Sequence, residues 1–262
     1  MENKSDILTS KADGILTLES NRPERKNAIT AVMYQAMADA LVDADTDNAV
    51  RAIVFFGRPE IFTAGNDLED FLKHAPVGGT ADATRPVYQF MRALACSSKP
   101  VISAVSGAAI GIGTTMLLHC DMVYAADNAK FSMPFVQLCL CPEFASSVLF
   151  PAIAGYPRAA EKLLLGESFS AQEAFEMGML SKVLPLDELQ PYALHQAAKL
   201  VALPAASVRA TKSLMKQPRQ AGIETAIGAE IELFSAMLRA PEAKEAFTAF
   251  FEKRKPDFSK FA

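Results

Sequence analysis

Between Asp127 and Glu161 the chain carries a single carboxylate, Glu143, set in the run LCLCPEFASS (138–147). An ionisable group among two cysteines, a proline and a phenylalanine has two physical readings. Pro142 and Glu143 can open a helix through FASSVLFPAIA, where a carboxylate favours the positive end of the helix dipole. Alternatively the side chain turns inward and moves a proton. Apolar surroundings raise a carboxyl group above its ordinary pKa of about 4.3 and make it a stronger base. A rise of about one to two units leaves it mostly ionised at pH 7. Cys139 and Cys141 stand just before Glu143, but no histidine base accompanies them, which argues against a thiol nucleophile. The cysteines, with Cys96 and Cys120, form no CxxC pair and stand apart from the three histidines, so no metal site is expected.

The elements that must position these residues read as α/β. GILTL (14–18), VRAIVFFG (50–57), KPVISAVSG (99–107) and DMVYAAD (121–127) are strand candidates. Between the first two, TAVMYQAMADALVDADTD has apolar residues at helical spacing, with Thr30 as its N-cap. Strand, turn, helix and strand in succession imply parallel crossovers. From about Ser170 onward strand signals almost vanish. SAQEAFEMGML opens with a capping box, Ser170 and Glu173, and GIETAIGAEIELFSAML carries one apolar stripe. The segment HAPVGGTADATRP (74–86) reads as a mobile loop.

Composition narrows the classes. With 262 residues, half of them hydrophobic, the chain can bury a sizeable core. A net charge of −4 without blocks of like charge argues against a nucleic-acid surface. No apolar run reaches the roughly 20 residues of a membrane span. The polar MENKSDILTSKADG segment lacks the apolar core of a signal peptide, and SKFA is not a peroxisomal address of the SKL type. Scattered cysteines suit a reducing compartment, so a cytoplasmic location is expected.

Four stretches, in this order, resemble the crotonase (enoyl-CoA hydratase/isomerase) superfamily. NRPERKNAI (21–29) resembles its N-terminal CoA-binding strand-loop, and FTAGNDLEDF (62–71) its first oxyanion-hole loop. AVSGAAIGIGTTMLLHCDMVYAAD (104–127) resembles its second oxyanion segment, and EAFTAFFEKRKPDF (245–258) its C-terminal helix. The resemblance implies a ββα spiral core over residues 1–200 and a C-terminal helical trimerisation region over 201–262. It further implies an acyl-CoA thioester as ligand, no metal, and no cofactor beyond the CoA of the substrate. The expected assembly is a homotrimer or a dimer of trimers.

By the same resemblance, the backbone N–H groups of Asn66 and Ile112 form an oxyanion hole for the thioester carbonyl. Removing one such donor costs on the order of 10²–10³ in rate. Arg25 and Lys26 are expected at the CoA phosphates, with Ala28, Ala64, Asp67 and Leu68 along the CoA path. Read alone, the same residues have blander roles. Arg22, Arg25 and Lys26 make a solvated turn, Asn66 a left-handed turn residue, and GIG (111–113) a packing turn before a helix. Asp67 alone reads as the cap of a helix over LEDFLKH, Asp70 and His74 as exposed loop residues, and His119 as a core histidine.

Hydratases of this family carry two glutamates, one after the second oxyanion glycines and one after a downstream proline. Here those positions hold Thr115 and Phe135, and neither transfers a proton near neutral pH. The pattern around Pro142 and Glu143, together with AGNDLEDF and AIGIGTT, resembles the peroxisomal-type Δ3,Δ2-enoyl-CoA isomerases, in which one glutamate shuttles the proton from C2 to C4. Glu143 is therefore the expected catalytic residue of an isomerase acting on unsaturated fatty acyl-CoA. Two alternatives stay open. One is a hydratase or crotonase-type lyase with a re-sited base, and the other is a non-catalytic acyl-CoA binding subunit.

Overall fold

The computed structural model describes residues 5–73 and 84–261. His74, and residues 75–83 of the segment read as a loop, lie outside the described residues. Strands β1 (Ile7–Ala12) and β2 (Ile15–Ser20) form an antiparallel hairpin. Helix α1 (Ala31–Thr46) leads into β3 (Ala52–Phe56) and β4 (Ile61–Thr63), then α2 (Leu68–Lys73) and α3 (Pro86–Cys96). Next come β5 (Val101–Val105), β6 (Ala108–Ile110) and the single turn α4 (Ile112–Thr115). After these, β7 (Met122–Ala126) and β8 (Lys130–Ser132) precede α5 (Ser146–Ala154) and α6 (Tyr156–Leu165). The chain then runs through β9 (Phe169–Ser170), α7 (Ala171–Glu176), β10 (Lys182–Leu184) and α8 (Leu186–Ala202). It closes with the long α9 (Ala205–Leu238) and α10 (Pro241–Phe251).

Each turn of the spiral lays one strand into each of two sheets and returns through helix. The pairs β3–β4, β5–β6 and β7–β8 do this in succession. The larger sheet has the order β1-β2-β3-β5-β7-β10, parallel except for the first hairpin, and the smaller has the order β4-β6-β8-β9. Because side chains alternate along a strand, β3, β5 and β7 feed two cores. Ile53, Phe55, Val101 and Val123 enter the main core, while Val54, Ile102, Ala104 and Tyr124 face Leu189, Ala193 and Ala197 of α8. Burial of both faces explains the uninterrupted apolar runs of these strands.

The four strand candidates and the capped helices are where the sequence puts them. Thr30 caps α1, its hydroxyl accepting the Met33 N–H at 3.3 Å, and the Ser170–Glu173 capping box opens α7. The region after Ser170 departs from expectation at one point: β10 adds a parallel edge strand, Lys182 pairing with Tyr124. Helix α9 is fastened to the core by Lys212, buried, whose ammonium donates to Asp121 Oδ2 at 2.7 Å and to the Lys99 carbonyl at 2.5 Å. Among the described residues no helix is long and apolar enough to cross a membrane.

Candidate active site

Two loops meet at the C-terminal ends of β4 and β6, and glycines let them approach. Gly65 holds φ +84°, a left-handed conformation, and a Cβ there would stand 2.7 Å from the Ile110 carbonyl oxygen. A Cβ on Gly113 would stand 2.4 Å from Thr63 Cγ2. The left-handed residue of the first loop is thus Gly65, and Asn66 does not share that conformation.

Asn66 is paired with Ile29 through a parallel bridge. In that geometry Ile29 bonds to the neighbours of Asn66: its N–H donates to the Gly65 carbonyl at 2.8 Å and its carbonyl accepts the Asp67 N–H at 2.9 Å. The N–H of Asn66 therefore points away from the bridge. Ile112 is the first residue of α4, where a helix leaves its N–H groups unpaired. Neither N–H has a protein acceptor among the described residues. Since α4 is one turn long, positive potential at its start comes from unpaired N–H groups rather than from a long helix dipole. Tyr34 of α1 donates its hydroxyl to Asn66 Oδ1 at 2.6 Å. Burial, and then the charge of Glu143, push the Tyr34 hydroxyl well above its ordinary pKa, so it stays a neutral donor.

Glu143 is 5% exposed and lines, with Asn66, a cleft of about 420 Å³. Phe71 of α2, Met91 of α3 and Ile231, Phe234 and Leu238 of α9 supply apolar walls. The Thr115 hydroxyl donates to Glu143 Oε1 at 2.5 Å. Thr115 thus stands beside the acid that it cannot replace. Phe135 packs edge-to-face on Phe234 with ring centroids 6.4 Å apart, and Phe234 packs likewise on Phe71 at 6.1 Å. Burial raises Glu143 to a pKa of about 8, the Thr115 hydrogen bond opposing the shift and the nearby charge of Glu230 adding to it. That exceeds the rise of one to two units expected from the sequence: at pH 7 the carboxyl is mostly neutral.

The backbone after Glu143 is unusual. Phe144 and Ala145 hold φ +60° and +56°, left-handed values that cost energy for residues with a Cβ. Glu143 does not itself begin α5, whose N-cap is Ala145. Glu230 of α9, buried, accepts the Ala145 N–H at 2.5 Å, the Ser147 N–H at 3.0 Å and the Ser147 hydroxyl at 2.5 Å. His119 Nε2 lies 2.8 Å from the Phe144 carbonyl, and the two rings stack at 3.8 Å. Burial lowers His119 to a pKa of about 3, so the neutral ring donates from Nε2.

The other residues singled out by the sequence surround the first loop. Asp67 Oδ2 accepts from Arg22 Nη1 at 2.8 Å, and Asp67 Oδ1 accepts the Asp70 N–H at 3.1 Å, which caps α2. Burial pushes the Asp67 carboxyl up, but the Arg22 and Asp70 hydrogen bonds outweigh it and hold it below its ordinary pKa. Arg25, half exposed, reaches Glu69 at 3.2 Å, and Lys26 is exposed in a left-handed turn. The Ala64 N–H donates to the Lys26 carbonyl at 3.0 Å, and the Ala28 carbonyl accepts from Arg22. Ala28, Ala64 and Leu68 are partly exposed beside this seam. Asp70 accepts the Ala31 N–H at 2.7 Å, at the start of α1. Burial raises the thiols of Cys139 and Cys141, the latter to about 11, which disfavours thiolates. No cluster of three metal-ligating side chains occurs among the described residues. Sequence reasoning missed Tyr34, Glu230 and the clamping part of Asn27, whose amide donates to the Ile61 and Phe62 carbonyls.

Comparison with known proteins places this arrangement. Residues 10–260 match the family model described as enoyl-CoA hydratase/isomerase. The chain is 31% identical over 254 residues to the 2,3-dehydroadipyl-CoA hydratase of Escherichia coli strain K12, covering 97% of this chain and 98% of that one. It is 34% identical over 243 residues to the peroxisomal enoyl-CoA delta isomerase 3 of Mus musculus, covering 92% and 76% respectively. The crystal structure of an enoyl-CoA hydratase/isomerase from Pseudoalteromonas atlantica T6c superposes with a TM-score of 0.91 at 37% identity, covering 97% of this chain and 100% of that one. With Asn66 and a buried carboxyl lining one cleft, and a family model matched over almost its whole length, the chain belongs to the enoyl-CoA hydratase/isomerase (crotonase) family.

Proposed function

We propose that the protein is a Δ3,Δ2-enoyl-CoA isomerase in which Glu143 is the only acid/base group. The observation that carries this reading is that Glu143 is the one buried carboxyl lining the cleft among the described residues, with Thr115 and Phe135 at the two positions where hydratases of the family carry glutamates. In its ionised form Glu143 removes a proton from C2 of a 3-enoyl-CoA, which the thioester and the alkene both acidify. The electron pair flows into a dienolate, whose oxygen accepts hydrogen bonds from the N–H groups of Asn66 and Ile112. Glu143, now neutral, returns the proton to C4 and leaves the conjugated trans-2-enoyl thioester. C2 and C4 belong to one three-carbon unit, so one side chain can serve both, and no water takes part. The apolar walls from α2, α3 and α9 suit such a site.

The CoA of the substrate is the only coenzyme this reaction needs, with Arg25 and Lys26 proposed at its phosphates and Ala28, Ala64, Asp67 and Leu68 along its path. A homotrimer or dimer of trimers is proposed as the working unit. The outer faces of α9 and α10 support it, with Leu214, Met215, Leu233 and Phe250 each more than half exposed. Four free cysteines support a reducing, cytoplasmic setting.

The test offers a trans-3-enoyl-CoA and follows the absorbance of the conjugated thioester. Full turnover by Glu143→Gln would falsify the mechanism. A second reading, hydration by a re-sited base, is favoured by the likeness to the Escherichia coli hydratase over 97% of this chain. It predicts 3-hydroxyacyl-CoA from a 2-enoyl-CoA with oxygen-18 taken up from labelled water, and its absence supports isomerisation.

A further inference from the structure

The turn that aims Glu143 is held from outside its own segment. Phe144 and Ala145, directly after the acid, both stand in left-handed backbone, a conformation that glycine adopts freely and alanine and phenylalanine do not. Local bonds close the turn on one side: the Ser146 hydroxyl donates to the Glu143 carbonyl at 2.6 Å. The other side depends on α9. Glu230, distant in sequence, uses both carboxylate oxygens on this turn, one for the Ala145 N–H and one for the N–H and hydroxyl of Ser147. Glu230 is itself 7% exposed. A second carboxyl buried beside an acid that must ionise is electrostatically unfavourable, and packing alone does not call for it. Its three donors account for it.

We infer that Glu230 is a positioning residue: from α9 it clamps the left-handed Phe144–Ala145 turn and thereby keeps the Glu143 carboxyl beside Thr115 and aimed into the cleft. The same helix supplies Ile231, Phe234 and Leu238 to the cleft, so the apolar wall and the clamp belong to one element. His119 secures the Phe144 carbonyl and ring, which leaves Ala145 as the residue most dependent on Glu230.

The inference rests on Glu143 being the base, and the experiment separates the two. Crystal structures and kinetics of the full-length protein are compared for wild type, Glu230→Gln and Glu230→Gln/Ala145→Gly. In Glu230→Gln the amide nitrogen cannot accept the N–H it replaces. The expected result is an opened Thr115–Glu143 hydrogen bond and a kcat for the 3-enoyl-CoA lowered by about 10²-fold, as for a small misplacement of a catalytic group. KM is expected to stay near wild type. Glycine at 145 adopts the turn without the clamp, so the double variant regains most of kcat and the Thr115 contact. A kcat loss that glycine fails to restore, or a Glu143 carboxyl that stays on Thr115 in Glu230→Gln, overturns the inference. Should Glu230→Gln not fold, Glu230→Asp, one methylene short of its donors, is read by the same two criteria. If wild type proves inactive on the 3-enoyl-CoA, the isomerase reading fails and the crystallographic arm still decides the clamp.

Discussion

On the side of the two glycine loops, the fit rests on close approach to glycine main chain. Gly65 lies against the Ile110 carbonyl, Gly113 against Thr63, and Ile29 zips the first loop in place. On the side of Glu143, the long-range contacts are made by side chains brought from elsewhere: Thr115 to Glu143, Glu230 to Ala145, His119 to Phe144. The first side tolerates changes of side chain at the donors but no added Cβ at the glycines. The second tolerates backbone variation only while its side-chain partners hold. One side is thus fixed by what is missing, the Cβ atoms, and the other by what is present.

Glu143→Gln should break the contrast most sharply. It leaves the oxyanion loops intact and removes the base, and isomerisation should fall by about 10²–10⁴-fold with acyl-CoA binding retained. Gly65→Ala attacks the other side. The strained left-handed position and the clash with Ile110 should displace the Asn66 N–H and lower kcat by about 10²–10³-fold, while the pH profile keeps its wild-type shape. That profile belongs to the acid wall. Because the proposed mechanism uses Glu143 as the carboxylate and its pKa is about 8, kcat/KM should rise about tenfold per pH unit up to pH 8 and then level. Thr115→Val removes a hydrogen bond that favours the ionised form. The rising limb should move to higher pH and activity at pH 7 should fall about tenfold, as for the loss of one hydrogen bond to a charged group.

The remaining effect is on stability. Glu143 sits at about 8 when folded against an ordinary value of 4.5, so over that interval the folded chain binds more protons. Its contribution is fully present below pH 4.5 and is lost as the pH rises through 8. Glu143→Gln should abolish this slope. Its Tm relative to wild type should climb between pH 5 and pH 8.5, and equal slopes in the two proteins would count against an inward, neutral carboxyl.

The same contrast governs what the sequence made legible. Strands β3, β5 and β7 are buried on both faces and print apolar runs, and helices α1 and α7 announce themselves through Thr30 and Ser170. The three-residue strands of the smaller sheet are too short to show a period, and β1 is mostly exposed and polar. The close approach of the two loops was legible because their glycines stand out in the sequence. The partners of the acid were not. Thr115 lies 28 residues from Glu143, Tyr34 lies 32 from Asn66, and Glu230 lies 85 from Ala145. No local pattern links such pairs; only the fold brings them together. The rise of Glu143 to about 8 outran the sequence-based expectation chiefly because the completeness of its burial was not foreseeable, the charge of Glu230 adding a smaller part.

The aromatic seam from Phe71 through Phe234 to Phe135 bears on how this site could change its chemistry. A glutamate at 135 alone would set a charge against the Phe234 ring, with no partner to offset its lost hydration. The ring on α9 would have to give way before the acid became useful. Installing a second carboxylate is therefore a journey of at least two substitutions in a preferred order. The intermediate that begins at Phe135 is the less fit of the two, so directed evolution toward water addition should open its library at Phe234.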